Sequence, residues 1–288
     1  MLAWVTLGCA SAQSDDAGAT PASSPAAPQP VERVALSPTE ARRAAELESA
    51  FPDDSIVRIG DGDDRAIGVY RPSIDERALG VVVVVLGSST SPDSVGDSTR
   101  LRRALPRDRW STLTVALPDV PNEVLPPRQH DKFVEGAAAQ PEPAQPPPAQ
   151  PRPAADAARA PMPARVKARL DAAVKAAREK ASKVVVLGED AAGAWIAWAQ
   201  NQGLGADAIV AIDTARGTPT IDGKSPKDVL GALTTPALLL MQTPHQWSVD
   251  DRLGAHVDLR KLPPGDPAGV RLERRINGWL KRRFDSRG

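Results

Sequence analysis

Residues 81–86 read Val-Val-Val-Val-Val-Leu, an unbroken apolar run with no polar position in it. A strand with one wet face alternates apolar and polar residues, so a run of this kind fits a strand covered on both faces. Less uniform but mainly apolar runs recur at residues 112–117, 183–187, 208–212 and 237–241. Helical patterns separate them at residues 98–105, 164–182, 191–202 and 225–233. The second of these sets Val166, Leu170, Ala173, Val174 and Ala177 on one face, the stripe of a helix lying on a core. In the last, Ser225 is a cap with Pro226 at the first helical position, where proline costs no hydrogen bond.

Upstream, Ser37-Pro38-Thr39-Glu40 has the form of a capping box and predicts a helix to residue 50. Residues 56–59 and 66–70 read as a hairpin around the Gly60-Asp61-Gly62 turn. Downstream, residues 256–259 make a weak last strand. Asp266 and Pro267 then open a C-terminal helix with Leu272, Ile276, Trp279 and Leu280 facing inward. Trp195 and Trp198 are read as core residues at helical spacing. The order predicts an α/β fold: a mostly parallel sheet with an antiparallel N-terminal hairpin and helices on both faces. Such sheets bind ligands beyond the carboxyl ends of their strands. The loops after Leu86, Leu117, Leu187, Ile212 and Met241 are therefore the ones to inspect.

The chain of 288 residues balances 36 Lys+Arg against 36 Asp+Glu, which leaves no charge excess for a general nucleic-acid binder. Its one cysteine, Cys9, excludes disulfide scaffolds and cysteine-based zinc sites. Neither a glycine-rich dinucleotide fingerprint nor a phosphate loop is present, and nothing calls for a cofactor or a resident metal. Two segments are too poor in large apolar residues to pack, residues 14–30 and the Pro-rich residues 136–163. The second includes Pro146-Pro147-Pro148 and reads as an extended spacer.

Residues 1–12 are apolar, and Ala10-Ser11-Ala12 before Gln13 is a small-x-small cleavage pattern. The expectation is an exported, periplasmic protein with a signal segment at 1–12 whose true start lies upstream. Thr6-Leu7-Gly8 before Cys9 offers a lipoprotein alternative, and a disordered cytosolic N-terminus another. A tether at 13–36 and one domain at 37–288, holding the Pro-rich insert 136–163, would follow. No run reaches the ~20 apolar residues of a membrane span. The basic cluster Arg271, Arg274, Arg275, Lys281, Arg282 and Arg283 reads as the solvated face of the last helix. An anionic envelope surface is its second reading.

The most informative segment is Val184-Val185-Val186-Leu187-Gly188-Glu189-Asp190-Ala191-Ala192-Gly193-Ala194. It reads as strand, sharp turn, helix, with small residues packed round the turn. Here the chain resembles the α/β-hydrolase superfamily, whose G-x-S-x-G elbow aligns without gaps onto Gly188-Glu189-Asp190-Ala191-Ala192. More narrowly it is similar to a family of uncharacterised exported bacterial proteins with such a core. That likeness rests on Phe51-Pro52-Asp53-Asp54 before the hairpin, Leu101-Arg102-Arg103-Ala104-Leu105 leading to Trp110-Ser111-Thr112-Leu113, and the Gly188-Glu189 elbow. The resemblance implies a fold and no particular reaction.

It also implies that Asp190 stands where a serine nucleophile would. Aspartate can serve as a nucleophile by forming an ester, but hydrolases that use it need partners this chain lacks. Epoxide-opening relatives use a tyrosine pair, and only Tyr70 exists here. Dehalogenating relatives place Trp after the Asp, and here Ala191 follows. The loop at 261–269, where a histidine base belongs, holds Asp266 and no His. His130 lies beside the Pro-rich insert and His256 begins the last strand. His245, after the strand at 237–241, is the one histidine placed to approach Asp190 as a base. Gly87 and Ser88 follow the Val run at the oxyanion position, where the amides of Ser88 and Ala191 could face an oxygen. The Asp190 carboxylate could instead occupy those donors. Asp213 and Asp119 are further carboxylates at strand ends, each with a plain reading as a turn residue. With Asp190 they could gather a cation, although no spacing demands it.

Two function readings result. In the first, the protein is a degenerate, non-catalytic member of the fold that binds a small ligand or an envelope partner through the old active-site mouth. In the second, it hydrolyses ester-like bonds with Asp190, His245 and Asp213 as catalytic residues over the Gly87, Ser88 and Ala191 pocket.

Overall fold

The computed structural model describes residues 38–60, 66–88, 90, 96–119, 161–214, 220–241, 253–262 and 270–285. The chain divides into two compact units, Met1–Arg33 and Val34–Gly288, and every described residue belongs to the second. The expected signal segment, the tether, nearly all of the Pro-rich insert, Ser37, His130, His245 and Asp266 lie outside the described residues.

Eight strands form one sheet: β1 Ile56–Ile59, β2 Ala66–Arg71, β3 Gly80–Leu86, β4 Trp110–Ala116, β5 Val184–Glu189, β6 Ala208–Ile212, β7 Ala237–Met241 and β8 Val257–Lys261. Their order is β1-β2-β4-β3-β5-β6-β7-β8. The β1–β2 and β2–β4 pairs are antiparallel, and all pairs from β4 to β8 are parallel. The helices are α1 Pro38–Ala50, α2 Asp97–Ala104, α3 Pro161–Arg178, α4 Ala191–Asn201, α5 Pro226–Gly231 and α6 Val270–Phe284. No helix among the described residues is long and apolar enough to cross a membrane.

The Val run is central, flanked by β4 and β5, with Val83 opposite both Leu113 and Val186. Its side chains alternate between two cores. Val81, Val83 and Val85 join the layer filled by α3, α4 and α5 residues such as Leu170, Ile196 and Val229. Val82, Val84 and Leu86 join the layer filled by Leu101 of α2 and by Leu272, Ile276 and Leu280 of α6. Burial of alternate residues on opposite sides explains why the strand needs no polar position.

Several expected boundaries move. Helix α3 begins at Pro161, so residues 161–163 belong to the helix and not to the insert. Proline is tolerated in a first helical turn, where the N–H groups have no intrahelical partner, and Met162 is buried there. Strand β4 begins at Trp110, paired with Gly80, and Trp110 stands edge-on to Phe284 at 5.5 Å. Strand β8 runs on to Lys261, as an edge strand whose exposed charges discourage pairing with another chain. The Ser225 cap is complete: its hydroxyl oxygen accepts from the Asp228 amide at 3.2 Å and its own amide donates to the Asp228 carboxylate at 3.1 Å. Trp198 is buried, with its indole N–H on Asp222 at 2.9 Å, and Trp195, which is half-buried, meets it edge-on at 5.6 Å.

The helix ahead of the sheet is anchored by charge. Glu40 of α1 is 5% exposed and Arg169 of α3 is 7% exposed, and they pair at 2.7 Å. Arg165 approaches the same carboxylate at 3.4 Å, and the Asp119 amide donates to it at 3.3 Å. Burial pushes the Glu40 carboxyl up, but the Arg169 charge and hydrogen bond, the Asp119 amide and the Arg165 charge outweigh it, leaving it below its ordinary value.

Candidate functional site

The sheet order reverses at β3: β4 lies on one side of it and β5 on the other. Loops leaving β3 and β5 therefore diverge at the carboxyl edge, the place where sheets of this kind bind ligands. Gly87 and Ser88 leave β3 and Asp190 leaves β5, so the sequence-predicted elbow and oxyanion loop flank this switch point.

Asp190 has φ 50° and ψ −126°, a region that L-residues occupy only under constraint. The constraint is visible in its neighbours. The Asp190 amide donates to the Ile212 carbonyl at 2.8 Å, and the Gly193 amide donates to the Asp190 carbonyl at 3.1 Å. A Cβ on Gly188 would stand 2.8 Å from the Ala192 carbonyl carbon, and one on Gly193 would stand 2.0 Å from Thr214 Oγ1. Small residues at 188 and 193 thus let α4 start directly against β5 and against Thr214 just after β6, the geometry of a nucleophile elbow. Asp190 is exposed at the tip and Ala191 is half-buried at the start of α4.

Sequence reasoning passed over Glu189, although the residue lies inside the elbow motif. It is the last residue of β5 and half-buried. Ser98, in the first turn of α2, donates its hydroxyl to Glu189 Oε2 at 3.0 Å. Burial pushes the Glu189 carboxyl above its ordinary value; the Ser98 hydrogen bonds oppose this, and the charges of Asp97 and Asp190 add to it. The mouth therefore presents a set of carboxylates, one of them biased toward holding its proton.

Sequence reasoning also missed Arg43, which no local pattern signals because its partners are 45 and 76 positions away. Its guanidinium donates to the Ser88 carbonyl and to Asp119 Oδ1, the latter at 3.2 Å. Helix α1 thereby holds the loop that carries the Ser88 amide. Asp119 is drawn into this network, and its carbonyl accepts from Arg165 at 3.3 Å.

Asp213 follows β6 with φ 46°, its amide donating to the Leu240 carbonyl at 2.9 Å. Asp190, Asp213 and Asp119 do not form a cation cage: among the described residues no three His, Cys, Asp or Glu side chains are grouped to hold a metal. His256 is exposed, just before β8, in a groove with Pro236, Ala237 and Asp258. These residues start β7 and β8, so His256 sits at the amino edge of the sheet, the end opposite Asp190. Among the described residues no histidine stands at the carboxyl edge.

A family model described as "Protein of unknown function (DUF3530)" matches residues 1–236. No curated protein sequence matches the chain. Among solved structures, Est1E from Butyrivibrio proteoclasticus is similar at 10% identity, over 81% of this chain and 100% of that one, with a TM-score of 0.53. The same protein with ferulic acid bound is similar at 10% identity, over 76% and 95%, with a TM-score of 0.51. A dienelactone hydrolase from Anabaena variabilis is similar at 15% identity, over 79% and 96%, with a TM-score of 0.49. At such identities the Est1E likeness shows the fold alone, that of an α/β hydrolase.

Proposed function

The chain belongs to the DUF3530 family of proteins of unknown function, and from the site built on its α/β-hydrolase core we propose a non-catalytic member of the fold. In this reading it acts in the cell envelope by binding a small ligand at the old active-site mouth. One observation carries the reading: the strained elbow presents the Asp190 carboxylate where the fold would present a serine hydroxyl. Ester cleavage by a serine builds negative charge on an oxygen beside the elbow, and the fold's amide donors exist to stabilise it. A carboxylate at the tip, with the Asp97 charge close by, opposes that charge. The same mouth suits a ligand that donates hydrogen bonds, such as an amine or a hydroxyl-rich molecule.

A second reading draws support from Glu189. A carboxyl biased toward holding its proton, next to an aspartate, is an acid-base arrangement: Asp190 attacks the carbonyl of an ester-like bond, the leaving oxygen takes the proton of Glu189, and water then cleaves the acyl-Asp190 bond and returns a proton to Glu189. A panel of chromogenic esters and haloalkanes, run on the protein and on Asp190→Asn, separates the two. The first reading expects no turnover from either protein, and thermal stabilisation by amines or polyols that Asp190→Asn loses. Turnover by the parent chain that vanishes in Asp190→Asn would overturn it and establish the second.

A further inference from the structure

The cations of helix α6 do not all behave as an ordinary solvated face. Lys281 pairs with Asp108 at 3.3 Å. Arg271, Arg274, Arg275 and Arg282 instead line one groove of about 520 Å³, together with Leu262 and Gly278. Their spacing places them on a single stripe of the helix, with Gly278 at its centre. Gly278 contributes no side chain, and a Cβ there would come within 3.5 Å of an Arg282 guanidinium nitrogen. The glycine therefore leaves the floor of the groove open between the arginines. All four arginines are exposed, and Arg274, Arg275 and Arg282 form no ion pair with any described carboxylate. Arg271 has an interaction partner of its own.

We infer that this stripe is a docking surface for an anionic phospholipid bilayer, with the helix lying flat on the phosphate groups. The argument is charge complementarity and shape. From Arg271 to Arg282 the stripe runs about 16 Å along the helix axis, a length that spans more than one phosphate group. A planar array of phosphates matches a linear row of exposed guanidiniums, and those of Arg274, Arg275 and Arg282 can make paired hydrogen bonds to phosphate oxygens. The helix has nothing left to insert, because Leu272, Ile276, Trp279 and Leu280 are already buried against the sheet. Attachment is therefore electrostatic and peripheral, weakened by salt. The groove shares no residue with the elbow, so this inference stands or falls apart from the reading of the mouth.

The test is flotation of the full chain with phosphatidylcholine vesicles, with and without phosphatidylglycerol. Binding is expected only to the phosphatidylglycerol vesicles, and raised salt should release it. The triple variant Arg274→Gln/Arg275→Gln/Arg282→Gln should bind about a hundredfold more weakly, at about fivefold per arginine. A control variant, Arg42→Gln/Arg107→Gln/Lys224→Gln, removes the same charge from exposed positions outside the groove and should retain binding. Matching circular dichroism spectra and melting curves confirm that both variants fold. Three results would each overturn the proposal: binding to pure phosphatidylcholine, equal loss in both variants, or equal competition by inorganic phosphate or duplex DNA at matched ionic strength.

Discussion

Ser98 and Glu189 lie 91 positions apart and meet at 3.0 Å, the serine hydroxyl donating to the carboxylate of the residue beside Asp190. The bond joins the start of α2 to the end of β5 and partly compensates a carboxyl that burial has pushed above its ordinary value of 4.5.

Glu189 makes folding pH-dependent in a defined direction. Well below pH 4.5 the carboxyl is protonated in both folded and unfolded chains, and stability is unaffected by it. As the pH rises from there through the higher folded value, the unfolded chain ionises first and stability falls. Glu189→Gln keeps an oxygen for Ser98 and removes this loss. Its melting temperature should equal the parent's in acid and exceed it at neutral pH, the gain in unfolding free energy being about 1.4 kcal/mol for each unit separating the two values. Equal melting temperatures across the whole range would show that Glu189 ionises without penalty.

Glu40 works in the opposite sense. Its folded value is lowered, so its contribution is present above the ordinary 4.5 and disappears as the pH falls through the folded value. Glu40→Gln leaves Arg169 buried without its charge partner and should cost about 3–5 kcal/mol at neutral pH by denaturant titration. Arg169→Met should cost a similar amount, and the double variant Glu40→Gln/Arg169→Met should recover part of the loss. Simple addition of the two losses would show that the pair is uncoupled.

Gly193 is sterically required. Gly193→Ala places a Cβ against Thr214 Oγ1 at 2.0 Å, with the Thr214 Cβ at 3.1 Å. The expected loss is about 1–3 kcal/mol in chemical denaturation. Combining it with Thr214→Ala removes the nearest atom and should restore part of that loss. A stable, unchanged Gly193→Ala protein would mean that the elbow can open without cost.

Asp190 holds the elbow in strained backbone, and glycine relieves strain at positive φ. The relief is about 1–3 kcal/mol, set against about 1 kcal/mol for the greater freedom of glycine in the unfolded chain. Asp190→Gly should therefore melt no lower than the parent, whereas Asp190→Ala, which keeps the strain, should melt below Asp190→Gly. The reverse order would locate the strain elsewhere.

Much of the fold was legible in local patterns. The Val run called for cover on both faces, and it has it. The Ser225-Pro226 cap was read from two residues and is present with both of its hydrogen bonds. The Gly188 to Gly193 spacing pointed to a tight turn, and the carbons those glycines omit would collide with α4 and with Thr214 just after β6. Boundaries were less legible where burial does not follow the apolar pattern. Pro161 and Pro163 look like part of a spacer yet sit in a first helical turn, and Ser111 and Trp110 extend β4 because the backbone of β3 is there to pair with them.

The candidate site divides along the same line. Strand periods, turn chemistry and the elbow spacing depend on neighbours within a few residues, so the sequence alone determined the layered α/β architecture and the placing of Asp190 at a strained turn. Glu189 with Ser98, and Arg43 with Ser88, are pairs separated by 91 and 45 positions. So is the distinction between His256 at the amino edge and Asp190 at the carboxyl edge of one sheet. These belong to the tertiary structure alone, because strand order, not sequence distance, sets which loops share an edge. A carboxyl's burial and neighbouring charges exist only once the sheet has closed.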